Sequence, residues 1–244
     1  DGEGSYKPLP YQLRDLELDA DALLDLNNTK VSNVTINNLA AKTKQSKLSA
    51  NGKIDELLDD MLLDLNLKLD AHLPDFAYFL PEDMTLNGDA KGTAKAKIRL
   101  EDLTNMRLQK GRISADLDLT GIHYAMDSMI ADLPKTHAVL QLPNPKPSKP
   151  KVNWARIDIE TDKIDFEMAT PLKAALKTSA IQLEAGNVLS NDPVLYAAVG
   201  LQTERPLEVA MDSMGGTIDA PKLKAYAEYN TKDSTVMPVI EAAL

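Results

Sequence analysis

Residues 63–73 read Leu-Asp-Leu-Asn-Leu-Lys-Leu-Asp-Ala-His-Leu, apolar and polar in strict alternation over eleven positions. In a strand, successive side chains point to opposite faces, so this rhythm makes one dry face and one wet face. A helix would scatter the same leucines around its circumference. The pattern returns over Leu86–Leu100 and Ile113–Leu119. Shorter stretches show it at 16–20, 34–36, 48–54, 138–142, 157–159, 181–185 and 223–229. Period-two alternation repeated this often predicts an all-β chain of long antiparallel strands, in a curved, twisted sheet forming a groove or an open half-barrel.

Helical signals are few. Asp55–Leu63, Glu101–Arg107 and Thr235–Leu244 are short candidates, and Pro238 limits the last. Pro74–Pro81 opens and closes on proline and holds two of the three phenylalanines, which suggests one turn acting as an apolar plug. Gly88 and Gly92 share a strand with Ala90, Ala94 and Ala96. Glycine inside a strand marks a bend or a close approach, so the sheet is expected to curl there, or to have something lying against it.

The run Pro143-Asn-Pro-Lys-Pro-Ser-Lys-Pro150 favours extended, solvated backbone. Residues 1–10 read as a linker. Residues 11–244 read as one elongated β domain with a Pro-rich loop at 143–151; the alternative is two subdomains, 11–142 and 152–244. A faint repeat links Leu48–Ile54 with Leu86–Ala90, each carrying Asn-Gly after an apolar residue, and Gly215–Asp219 is a distant third.

Composition excludes several functions. The net charge of −10, and lysines interleaved with acids, argue against nucleic acid. No cysteine is present for disulfides or thiolate metal sites. No apolar run approaches the ~20 residues of a membrane helix. With aromatics at 5% and one tryptophan, Trp154, both the girdles of an outer-membrane barrel and the stacking platforms of a glycosidase are missing. There is no nucleophile elbow, phosphate loop, dinucleotide fingerprint or zinc-protease motif. His72, His123 and His137 are far apart and not at metal-ligand spacing. Asp19, Asp21 and Asp25 lack the glycine and glutamate of a calcium loop. The acidic pairs Asp59-Asp60 and Glu101-Asp102 have no apolar frame. No enzyme activity, metal or cofactor is expected.

The chemistry left is the apolar face. Its candidate lining residues are Leu63, Leu65, Leu67, Leu69, Leu86, Ala90, Ala94, Ile98, Ile113, Ala115, Leu117 and Leu119. Each such leucine or isoleucine gains about 1.5–3 kcal/mol when buried, so something must cover the row. A second sheet would make a structural or adhesive β-sandwich with no lipid ligand. A groove would hold acyl chains, and the choice of alanine, glycine and leucine over aromatics leaves room for them. The residues themselves leave both open.

Leu48-Ser-Ala-Asn-Gly-Lys-Ile54, Leu65–Asp70, Leu73-Pro-Asp-Phe-Ala-Tyr-Phe-Leu-Pro81 and Leu86-Asn-Gly-Asp-Ala90 together resemble AsmA-like proteins. In that family a strand, a short helix near proline and a strand with Asn/Asp-Gly recur. The resemblance covers about residues 30–125. It implies a lipid-binding or lipid-conducting β-groove of the TamB type, acting in outer-membrane biogenesis or lipid homeostasis. It also implies a periplasmic location in a didermic bacterium, with an inner-membrane anchor upstream of this chain. Envelope proteins are the implied partners, and exposed strand edges would allow self-association.

Overall fold

The computed structural model describes residues 14–81, 83–105, 107–127, 129–168, 172–186, 194–203, 206–211, 214–219, 222–232 and 234–243. The expected linker at 1–10 lies outside the described residues. Among the described residues fourteen strands form, in chain order: β1 (Arg14–Leu23), β2 (Asn33–Lys42), β3 (Lys47–Asp55), β4 (Leu62–His72), β5 (Met84–Arg99), β6 (Arg112–Met126), β7 (Met129–Leu142), β8 (Ala155–Met168), β9 (Leu172–Gly186), β10 (Val194–Thr203), β11 (Leu207–Met211), β12 (Met214–Ile218), β13 (Lys222–Asn230) and β14 (Thr235–Ala243). They join one antiparallel hydrogen-bonded order, β1 to β10 in sequence, then β13 and β14. β11 pairs β9, β12 pairs β11, and the order does not close into a barrel. The all-β expectation is met.

Two compact units divide the chain. The first is Asp1–Phe79 with Asp89–Leu117, and the second is Leu80–Gly88 with Asp118–Leu244. β5 and β6 contribute residues to both. Within each unit the described strands belong to a single hydrogen-bonded order, not to two opposed sheets.

Among the described residues, helix is confined to connections. α1 spans Leu100–Thr104, overlapping the expected 101–107 region but ending at Thr104, and a 3-10 turn spans Leu73–Phe79. That turn is held by Asp75, whose carboxylate accepts bonds from the Thr43 and Ser46 hydroxyls, the latter at 2.7 Å. Burial pushes the Asp75 carboxyl up; the two hydroxyl bonds outweigh it, and the net shift is downward. The expected helix at 55–63 is absent: β3 continues to Asp55, a turn follows, and β4 starts at Leu62. The expected helix at 235–244 is instead β14, which pairs residue for residue with β13. Pro238 is tolerated there because β14 ends the strand order, where proline is commonly found.

Strand glycines allow close backbone approach. Gly52 has φ +148°, and a Cβ there would run into the Asp64 carbonyl and lie 2.9 Å from Leu65 Cα. A Cβ at Gly92 would meet the Asp116 carbonyl and come to 3.0 Å from Leu117 Cα. What lies against Gly92 is therefore the backbone of β6.

Residues 143–154 join β7 to β8, which pair directly from Met129/Met168 to Gln141/Arg156. The connection is tied down. Glu184 on β9, 4% exposed, accepts bonds from Asn144 Nδ2 at 2.8 Å, Ser148 N at 3.1 Å and the Ser148 hydroxyl. Val152 is fully buried, and Trp154 N bonds to Ala185 O at 2.9 Å.

Candidate functional site

In the first unit, register turns the alternation into continuous apolar rows. Ala22, Val34, Ile54, Leu63 and Ile98 stand side by side across β1–β5. The next rows are Ala20, Ile36, Gly52, Leu65 and Ala96, then Leu18, Leu39, Ala50, Leu67 and Ala94. Ala41, Leu48, Leu69 and Gly92 form a fourth row, and Ala71 opposes Ala90. Gly111, just before β6, meets the Ile98 side chain, and Leu117 on β6 lies beside Gly92. The intervening Ile113 and Ala115 thus fall beside Ala96 and Ala94. The structure brings together Leu63, Leu65, Leu67, Leu69, Ala90, Ala94, Ile98, Ile113, Ala115 and Leu117. Leu86 and Leu119 fall in the second unit.

These rows are not sealed. Of the twelve expected lining residues only Ala90 and Ile98 are buried, at 5% and 2% exposure, and the others are half-buried. Neighbours on the same rows are open, with Leu48 at 42% and Leu18 at 66%. Four strand spacings and six residues along β4 give an apolar face about 19 by 20 Å.

The second unit carries a face of the same kind that the candidate lining left out. Leu140, Ile157, Leu183, Val199 and Ala225 form one row across β7–β10 and β13, and Ala138, Ile159, Ile181, Leu201 and Leu223 form the next. Val199 is 43% exposed and its row neighbours are half-buried. The signal was present in the alternations at 138–142, 157–159, 181–185 and 223–229, but their register was not. A hydroxyl rung interrupts this face. Buried Thr136 donates to Thr161 Oγ1 at 3.0 Å, and Thr161 reaches the Lys135 and Lys163 carbonyls.

The reverse faces are charged and complementary. Lys97–Asp64 at 2.7 Å and Lys91–Asp70 at 3.6 Å bridge β5 and β4. Two histidines meet an aspartate on a neighbouring strand there, His72–Asp89 at 2.9 Å and His137–Asp118 at 3.0 Å, and His123–Asp132 at 2.7 Å joins β6 to β7 nearer their connection. Exposed pairs of this kind contribute about 0–1 kcal/mol each. Their larger effect is on register, because a one-residue slip would set these charges among the leucines. At the end of β5, hydrogen bonds and the charge of Glu56 raise the Arg99 pKa. Asp102, buried within α1, accepts from Arg107 at 2.7 Å and Lys110 at 3.3 Å. Burial pushes its carboxyl up, and those cations overcome this and hold it low.

No family model, curated protein or solved structure matches the chain. Among the described residues no group of three or more histidine, aspartate or glutamate side chains is placed to hold a metal ion, and no helix is long and apolar enough to cross a membrane.

Proposed function

We propose that the chain is a non-enzymatic lipid-binding protein whose open apolar sheet faces take up acyl chains. The observation that carries this reading is the half-exposed apolar surface five strands wide in the first unit, repeated in the second. The largest apolar patch on an ordinary monomer is about 300–600 Å², and it often marks a binding surface. A face of about 19 by 20 Å is of that size from one unit alone. Covering about 200 Å² of it at about 25 cal/mol/Å² would gain about 5 kcal/mol before ordering costs are subtracted. Alanine and glycine in rows beside leucine leave shallow relief for a flexible chain. The apolar contact is non-directional, so it suits binding or passage of lipids better than recognition of one head group.

The resemblance to AsmA-like proteins supports the wider setting: a periplasmic segment, anchored to the inner membrane upstream, that serves outer-membrane biogenesis. Native mass spectrometry of the chain purified from a didermic host tests the proposal. Co-purified phospholipid or fatty acid is expected, with uptake of a fluorescent fatty acid that Leu67→Glu lowers. A lipid-free spectrum with no fluorescent uptake refutes it.

A further inference from the structure

A second site, independent of the apolar rows, lies on the polar side of the second unit. Glu184 fastens the 143–154 connection to β9 and so fixes Lys146 and Lys149 at the rim of a hollow of about 380 Å³. Arg156 and Lys224 complete its cationic lining. The floor is low because Ala198 and Gly200 occupy the cross-strand positions between the two sides: Arg156, Glu184, Ala198 and Tyr226 form one row, and Asp158, Gln182, Gly200 and Lys224 the next.

The charges in this hollow do not cancel. Arg156 is held by Asp158 at 2.7 and 2.8 Å and also reaches the Lys146 carbonyl at 3.2 Å. The carboxylate of Glu184 is occupied by Asn144 and Ser148. Lys151 pairs with Glu228 at 2.9 Å. Lys146 and Lys149 make no ion pair with a described side chain, Lys149 Nζ sits 4.6 Å over the Tyr226 ring, and Lys224 stands opposite Glu241 of β14. Setting Asp158, Glu184 and Glu241 against the four cations leaves one positive charge unbalanced, in a chain whose net charge is −10. Three ammonium groups around one hollow repel each other unless an anion sits among them. Lysine is a strong donor to phosphate oxygens.

We propose that this hollow binds a phosphate monoester or diester through Lys146, Lys149, Arg156 and Lys224. The alternation puts the Arg156 and Lys224 side chains on the side opposite those of Ile157 and Leu183, so the phosphate is not that of a lipid whose chains lie on those rows beneath it. Its source is a soluble phosphorylated compound or the head groups of an adjacent membrane surface.

Amide chemical shifts of the whole chain, titrated with inorganic phosphate and with O-phosphoethanolamine, test the site. Sedimentation with phosphatidylglycerol and with phosphatidylcholine vesicles identifies the source. Saturable shifts are expected at Ser148, Gly200 and Lys224. The dissociation constant should rise about tenfold in Lys224→Gln and about a hundredfold in the Lys149→Gln/Lys224→Gln double variant. Binding of the small phosphates with sedimentation only by phosphatidylglycerol supports the site with head groups as its source. Binding without sedimentation supports it with a soluble ligand. No saturable shift at those amides, or shifts of equal affinity in the double variant, overturns the proposal. Unchanged thermal midpoints in both variants confirm that loss of binding is not loss of fold.

Discussion

Replacing Gly52 with alanine should be among the most damaging single-methyl changes in the chain. Gly52 stands opposite Leu65 at φ +148°, and its absent Cβ is what lets β3 and β4 approach. An alanine at positive φ costs about 1–3 kcal/mol in backbone strain. The new methyl would also press on the Asp64 carbonyl and stand 2.9 Å from Leu65 Cα, both of them backbone that cannot swing aside. Overpacking of this kind adds about 1–3 kcal/mol. The expected loss of about 2–6 kcal/mol is a large share of a typical stability of about 5–15 kcal/mol. Gly216→Ala is the matched control, because nothing lies within 4 Å of its added Cβ. Urea unfolding followed by circular dichroism would report both. Gly216→Ala should stay within about 0.5 kcal/mol of the parent. If Gly52→Ala also stays within about 0.5 kcal/mol, close backbone approach is not why glycine stands there.

Ile98, 2% exposed and packed on Gly111, should lose about 2–5 kcal/mol on truncation to alanine. Leu48→Ala on the same face, at 42% exposure, should lose about 1 kcal/mol or less in the same unfolding assay. The carboxyls of Asp75 and Asp102 titrate below their ordinary value of 3.8 in the folded chain. Their contribution to stability is therefore full above that value and is lost as the pH falls through the lowered ones, so acid unfolding of Asp102→Asn should show a shallower pH dependence. Burial first, and then the bond and charge of Glu228, push the Tyr226 phenol up to about 12. Ultraviolet titration should show one late tyrosine step that Tyr226→Phe removes, and the contribution of that group to stability should fade between pH 10.0 and about 12. Glu184→Ala should expose the Ser148 amide to hydrogen exchange while leaving the β8–β9 ladder protected.

The strands were legible because their evidence is local. Leu63–Leu69 and Ala90–Ile98 carry a two-residue period that no other regular structure accommodates, and the structure sets them side by side. Residues 55–63 and 235–244 were misread for one reason: short apolar and polar mixtures resemble a helical turn until a neighbouring strand claims their backbone. β13 claims 235–243 by pairing that sequence period does not encode. The second apolar face escaped because its alternations are short and its continuity comes only from register, which sets Leu183 beside Ile157 and Val199. The proline-rich connection read as solvated because its anchor, Glu184, lies 36 residues beyond Ser148. Local composition holds no trace of such a partner.

Photo-crosslinking with a diazirine-bearing fatty acid, mapped by peptide mass spectrometry, tests most directly whether the dry faces are open to ligand. Adducts are predicted on Leu65, Leu67, Leu69 and Leu48 of the first unit, and on Leu183, Val199 and Leu201 of the second, with competition by unlabelled lipid. Labelling spread evenly over lysine-bearing and leucine-bearing faces, or labelling that unlabelled lipid does not reduce, would contradict the account.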